Sequence, residues 1–142
     1  MSILFEAVIA EPTEAPAVMQ AEDLSRWSGV PLSIGDEITL SELWATLEGR
    51  PYSVGDTLRF KVLAKRAEGS TWMVLVPEQL VSLLAGLAET QLPDVAGRWR
   101  ELAKLREPDL YGPAFDANLA KLRTQALRSR ALKRPLLIMV TV

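Results

Sequence analysis

Leu136-Leu137-Ile138-Met139-Val140-Thr141-Val142 closes the chain as an almost unbroken apolar run, and the class of the whole domain follows from it. The run is far too short for a bilayer-spanning helix, which takes about 20 residues. Its β-branched residues favour a strand. Apolar side chains at both parities mean that both faces of that strand are covered, which places it centrally in a sheet.

Pro135 separates this strand from a helix running from about Ala114 to Leu132, in which Phe115, Leu119, Leu122 and Ala126 form one stripe. Before it, a helix follows Pro93 with Asp94 as N-cap and Val95, Trp99, Leu102 and Leu105 as its apolar face, and Pro108 ends it. Pro77 suits the first position of an earlier helix, because the N–H it lacks has no partner there. Glu78 suits the positive end of that helix, and Leu80, Val81, Leu83, Leu84 and Leu87 give it a broad apolar face.

Thr71–Val76 reads as a strand, turned at Glu68-Gly69-Ser70 from a second one in which Leu58, Phe60, Val62 and Ala64 alternate with polar residues. A short helix over Thr39–Glu48 has Thr39 as N-cap, Glu42 as its capping-box partner and Gly49 at its end. Leu40, Leu43, Trp44 and Leu47 supply its apolar positions. Ile3–Ala10 alternates as a strand that Pro12 stops, and the stretch from Glu11 to Pro31 reads as irregular apart from one helical turn carrying Leu24 and Trp27. The expectation is a single compact α+β domain over residues 1–142, with a mixed sheet of about four strands and about four flanking helices. A chain of 142 residues, 49% of them hydrophobic, builds such a core without a disulfide or metal.

The chain has no histidine and no cysteine. Imidazole bases, thiolate nucleophiles, Ser-His-Asp triads and Cys/His metal sites are therefore excluded. Neither a Gly-x-Gly dinucleotide fingerprint nor a P-loop is present, and no cofactor or metal is expected. Adjacent carboxylates remain, at Asp36/Glu37 and Glu22/Asp23, and these read as solvated loop acids. Pro31-Leu-Ser-Ile-Gly-Asp36 and Pro51-Tyr-Ser-Val-Gly-Asp56 echo one another. That pattern reads as shared turn chemistry ahead of an ordered element rather than a paired-carboxylate site.

Net charge is −2, but its distribution is uneven. Residues 1–97 hold fourteen acidic and six basic side chains, and residues 98–142 hold four acidic and ten basic. Either the two segments neutralise each other in the fold, which is the preferred reading, or each end has its own partner. On the last helix, Lys121 and Arg128 lie on the outer side, and Arg123, Arg130 and Arg134 follow a line bordering the apolar stripe. These basic residues are the candidates for contacting an acidic partner or phosphates. Trp27 and Tyr111, beside loop signals, are expected at the surface as contact anchors, whereas Trp44, Trp72 and Trp99 are expected inside. Met1–Pro12 has no leading Lys or Arg and no small-residue cleavage pattern, so it does not read as a signal peptide. A cytoplasmic protein without a membrane segment is expected.

Trp72-Met-Val-Leu-Val-Pro-Glu-Gln-Leu80, the leucine helix after it, the turn Leu110-Tyr111-Gly112-Pro113, the Leu119/Leu122 helix and the strand Leu136–Val142 resemble a bacterial family typified by the YfbM protein. The resemblance covers the last half of the chain and implies a compact α+β domain with a mixed sheet; no activity comes with it. The expected function is a non-enzymatic protein-interaction module, in the manner of a small adaptor or immunity protein, whose partner is another protein. The alternative is a nucleic-acid-associated module using the basic helix, and third comes a carboxylate-dependent enzyme.

Overall fold

The apolar C-terminal run forms β5 (Leu136–Thr141), the middle strand of a five-stranded sheet. It is flanked by β1 (Leu4–Ile9) and β4 (Thr71–Leu75), with β2 (Val30–Leu32) and β3 (Lys61–Lys65) at the edges, in the order β2-β1-β5-β4-β3. The computed structural model describes residues 3–110 and 112–142. All four strand pairings are antiparallel, with Ala7 and Val74 both opposite Ile138. Leu136, Leu137, Ile138 and Val140 are all buried, as a strand covered on both faces requires.

Among the described residues the α-helices are α1 (Ala15–Gln20), α2 (Glu37–Glu48), α3 (Val54–Thr57), α4 (Glu78–Ala85), α5 (Leu92–Arg106) and α6 (Pro113–Leu132). One sheet face presents Phe5, Ala7, Ile9, Val74, Ile138 and Val140 to the main core with α2, α4, α5 and α6. The other presents Val8, Met73 and Leu137 to a smaller core with α1 and Trp27. The α6 stripe of Phe115, Leu119, Leu122 and Ala126 is wholly buried, as its spacing predicts. Each large side chain in it contributes about 2 kcal/mol by leaving water. Trp99 packs edge-on against Phe115 with ring centroids 4.9 Å apart, which joins α5 to α6.

The α+β class and the four longer helices are as expected, and the differences have local causes. β2 falls in the stretch read as irregular. It is only three residues long and includes Pro31, which an edge strand tolerates. The strand expected at Leu58–Ala64 begins only at Lys61, because Ser53 and Asp56 cap a helical turn at α3 and Leu58 is left 82% exposed beyond it. Phe60 still reaches the core, while Val62 stays exposed at the sheet edge. Trp72 is only half-buried.

Helix starts also shift. α2 is capped by Asp36, whose carboxylate accepts the Thr39 N–H at 3.0 Å, so Thr39 lies inside the first turn rather than at the cap. Pro77 is the N-cap of α4 rather than its first residue, so that helix starts one position later than expected, and α5 starts at Leu92 ahead of Asp94. Gly49 closes α2 at φ +66°, a conformation that suits glycine. In α5 the buried set is Val95, Ala96, Trp99 and Ala103, while Leu105 is 83% exposed. Alanines let α5 approach its neighbours closely, so the interface follows small residues rather than leucines. Leu105→Lys is accordingly expected to change unfolding free energy by no more than about 0.5 kcal/mol in urea melts.

Candidate functional site

The basic side chains of α6 divide into two groups with different surroundings. Along one line, Asn118, Lys121, Gln125 and Arg128 form a polar seam that holds the chain entering, forming and leaving β2. Asn118 Oδ1 accepts the backbone N–H groups of Ser33 and Ile34 at 2.9 and 3.2 Å. Lys121 Nζ donates to the Pro31 carbonyl at 3.0 Å. Gln125, fully buried, donates from its amide nitrogen to the carbonyls of Ala7 and Ser28 at 2.9 and 2.7 Å and accepts from Arg128. Lys121 and Arg128 are thus committed to internal acceptors.

Arg123 is committed as well, with Nε donating to the Leu87 carbonyl at 2.7 Å and a guanidinium nitrogen 3.8 Å from Glu89. Arg106 donates to Glu42 at 2.8 Å and to Thr39, and Glu42 is only 3% exposed. Together with Arg134 and Glu14, these ion pairs cross from the basic half of the chain to its acidic half, so part of the asymmetry is neutralised inside the fold.

The second group lies where α6 ends. Lys133 terminates the helix at φ +54°, and the Arg134 N–H and the Ser129 hydroxyl close the turn. This left-handed position is normally glycine's, and a side chain there costs about 1 kcal/mol. The turn places Arg130, Lys133 and Arg134 on one wall of a cleft of about 630 Å³. The start of α4, at Pro77, Glu78 and Val81, also lines it, as do Leu75 and Leu136 at the sheet end. The positive end of the α4 dipole opens on the same space.

Arg59 completes the cation set, its guanidinium stacked 4.6 Å from the centroid of Trp44. Arg134 approaches Glu14 loosely, at 3.7 Å. Among the described residues no carboxylate lies within 4.0 Å of the head groups of Arg59, Arg130 or Lys133. Glu11 and Glu78 are the two acids on the cleft.

Of the candidate contact residues that lie among the described residues, Arg130 and Arg134 reach this cleft and Trp27, Lys121, Arg123 and Arg128 do not. Trp27 is not at the surface: it is 6% exposed in the smaller core, its indole N–H donating to Glu14 at 3.2 Å. The Glu11 backbone N–H, and next the Trp27 indole, hold the Glu14 carboxyl below its ordinary range. Tyr111 lies outside the described residues. Arg59 and Lys133 were missed. Lys133 had one usable signal, a lysine where a helix before Pro135 would end on glycine, whereas Arg59 is brought in from a distant segment by the strand order alone.

The echoed segments serve two helix starts in different ways. Asp36 is the cap of α2, whereas in the second copy Ser53 is the cap and Asp56 the third residue of α3. Arg50, donating to Asp56 at 2.7 Å, is the main cause that holds that carboxyl below its ordinary value. Burial pushes Glu37 up, partly offset by a hydrogen bond from Trp72. Asp23 is held low by the backbone and hydroxyl of Ser25. One acid of each adjacent pair, Asp36 and Asp23, therefore has a local hydrogen-bond partner, and among the described residues no group of three acids is arranged as metal ligands would be.

A separate hollow of about 440 Å³ beside β1 and β2 contains Glu6, Glu22 and Asp23. Burial raises the Glu6 carboxyl above its ordinary 4.5. A raised folded-state value favours the fold when the group is protonated and is lost as pH rises through that value. Glu6→Gln is therefore expected to raise Tm at pH 7, and the gain should vanish below about pH 4, where glutamate too is protonated in both states. Thermal melts across that range check it.

The fold and site define an α+β domain with an antiparallel sheet and one cation-lined cleft at the sheet end, and none of its described helices is long and apolar enough to cross a membrane. No family model, curated protein or solved structure matches the chain.

Proposed function

We propose that this chain is a non-enzymatic protein-interaction module, acting in the cytoplasm, that docks a partner protein at the cationic cleft. The observation that carries the reading is the division of basic charge. Lys121, Arg123, Arg128 and Arg106 are used inside the fold, while Arg59, Arg130 and Lys133 converge on one concave surface with no carboxylate within 4.0 Å among the described residues. Unpaired cations grouped in this way steer and select an anionic partner.

Two features favour a protein over nucleic acid. Glu11 and Glu78 stand on the cleft and would repel a uniformly charged phosphate backbone. No aromatic ring is among the lining residues, so bases have no stacking platform. The resemblance of residues 71–142 to the YfbM-like family belongs to the same proposal and rests on packing and turn motifs.

The test is capture of a tagged chain from lysate of its native host, with and without nuclease and at low and high salt, beside Arg130→Glu/Lys133→Glu. The expected result is one stoichiometric protein that survives nuclease and is lost from the double variant. Nucleic acid that elutes at high salt, with no such protein, would overturn the reading in favour of phosphate contacts.

A further inference from the structure

We infer that the occupant of the cleft is an extended acidic segment of the partner, with apolar side chains between its carboxylates, and that Lys133 is its main anchor. The inference rests on the reading of the cleft as the docking site and adds the chemistry of what enters it.

Size limits the occupant first. A space of about 630 Å³ falls within the roughly 300–1,000 Å³ range of sites that enclose small ligands, so it admits a few side chains rather than the surface of a folded domain. The lining limits it next. Cations of α6 and Arg59 ask for carboxylates, while Leu75, Pro77 and Val81 in the same lining offer apolar contact. In an extended peptide successive side chains point to opposite sides, so a segment alternating acidic and apolar residues brings both carboxylates and hydrocarbon to this mixed lining. Glu11 and Glu78 sharpen the choice, because a peptide carries N–H groups that can meet them and a polyphosphate does not.

Lys133 stands out among the cations by its backbone. At φ +54° glycine would be the less strained residue, and strain held at a surface turn is a signature of a side chain retained for its contacts. Arg59 is fixed in advance by its stack on Trp44, which lowers the entropy cost of gripping an anion.

The backbone strain also supplies a clean variant. Lys133→Gly relieves the left-handed strain while removing one cation, so loss of binding cannot be ascribed to misfolding. The probe is a labelled, end-capped octapeptide alternating Glu and Leu, read by fluorescence anisotropy at low salt, beside an alternating Lys-Leu octapeptide and a short DNA duplex. The expected results are binding of the Glu-Leu peptide to wild type, roughly tenfold weaker binding to Lys133→Gly with a melting temperature no lower than wild type, and no binding of the Lys-Leu peptide. Equal binding of the Glu-Leu peptide to both proteins would overturn the role of Lys133. If that peptide fails to bind while the captured partner still depends on Arg130 and Lys133, the acidic-segment inference falls and the interaction reading stands. If the duplex binds and the peptide does not, both fall.

Discussion

Trp99→Ala is expected to lower the unfolding free energy by about 4 kcal/mol, the upper part of the range for truncating a large buried aromatic. The ring is fully buried and stands edge-on to Phe115 at 4.9 Å, so its loss opens a cavity between α5 and α6 that Ala96 and Ala103 are too small to fill. Its indole N–H donates to the Thr39 carbonyl at 2.8 Å, and removal loses that buried hydrogen bond between α5 and α2. Thr39 is also held by Asp36 and by Arg106, which in turn pairs with the buried Glu42. One substitution therefore loosens the joint of α2, α5 and α6 together. A domain of this size has about 5–15 kcal/mol in all, so the variant should show a much lower urea midpoint. Trp99→Phe keeps most of the packing but not the hydrogen bond and should cost less than half as much. A loss below about 1 kcal/mol for Trp99→Ala would show that the joint does not support the fold.

Gln125→Leu is expected to cost about 2–4 kcal/mol even though it places a larger apolar surface in a buried position. The amide is fully buried, and its two N–H donors are directed to the carbonyls of Ala7 and Ser28, on β1 and on the approach to β2. Leucine makes neither bond, and although Ala7 keeps its ladder partners the Ser28 carbonyl loses its donor, an orphaned acceptor costing about 1–3 kcal/mol. The loss should also be local in character. Hydrogen exchange of residues 28–34 should accelerate well beyond that of β5, because β2 is held on one side only by its short ladder to β1 and otherwise by the α6 seam. Uniform acceleration across the sheet would contradict the seam's role.

Periodicity made much of this molecule legible. The α6 stripe and the central strand were readable because each repeats an apolar pattern long enough to exclude the other structure, and both are buried as that pattern requires. β2 was not, since three residues around a proline carry no period. The α5 face was misread at Leu105 because close helix packing selected Ala96 and Ala103, and leucine content is a poor guide where backbones approach. The basic line on α6 was visible as a line, but a line does not say where its acceptors are. The acceptor of Lys121 is Pro31, 90 residues away in sequence. The same distance hid the cleft: Arg59 reaches it from the α3–β3 connection, and Trp27, placed among loop residues, is buried by α1 folding over the second sheet face.

On the proposed function, α6 carries two kinds of cation, one kind tied into the fold and the other left for a partner. The most direct test is the rise in Tm produced by an excess of the Glu-Leu octapeptide, since a ligand that binds only the folded state raises Tm according to its affinity. Wild type and Lys121→Gln should gain the same increment, although Lys121→Gln starts lower through loss of its bond to Pro31. Lys133→Gly should start no lower than wild type and gain little. Equal increments in all three proteins, or a loss confined to Lys121→Gln, would contradict the division of charge on which the account rests.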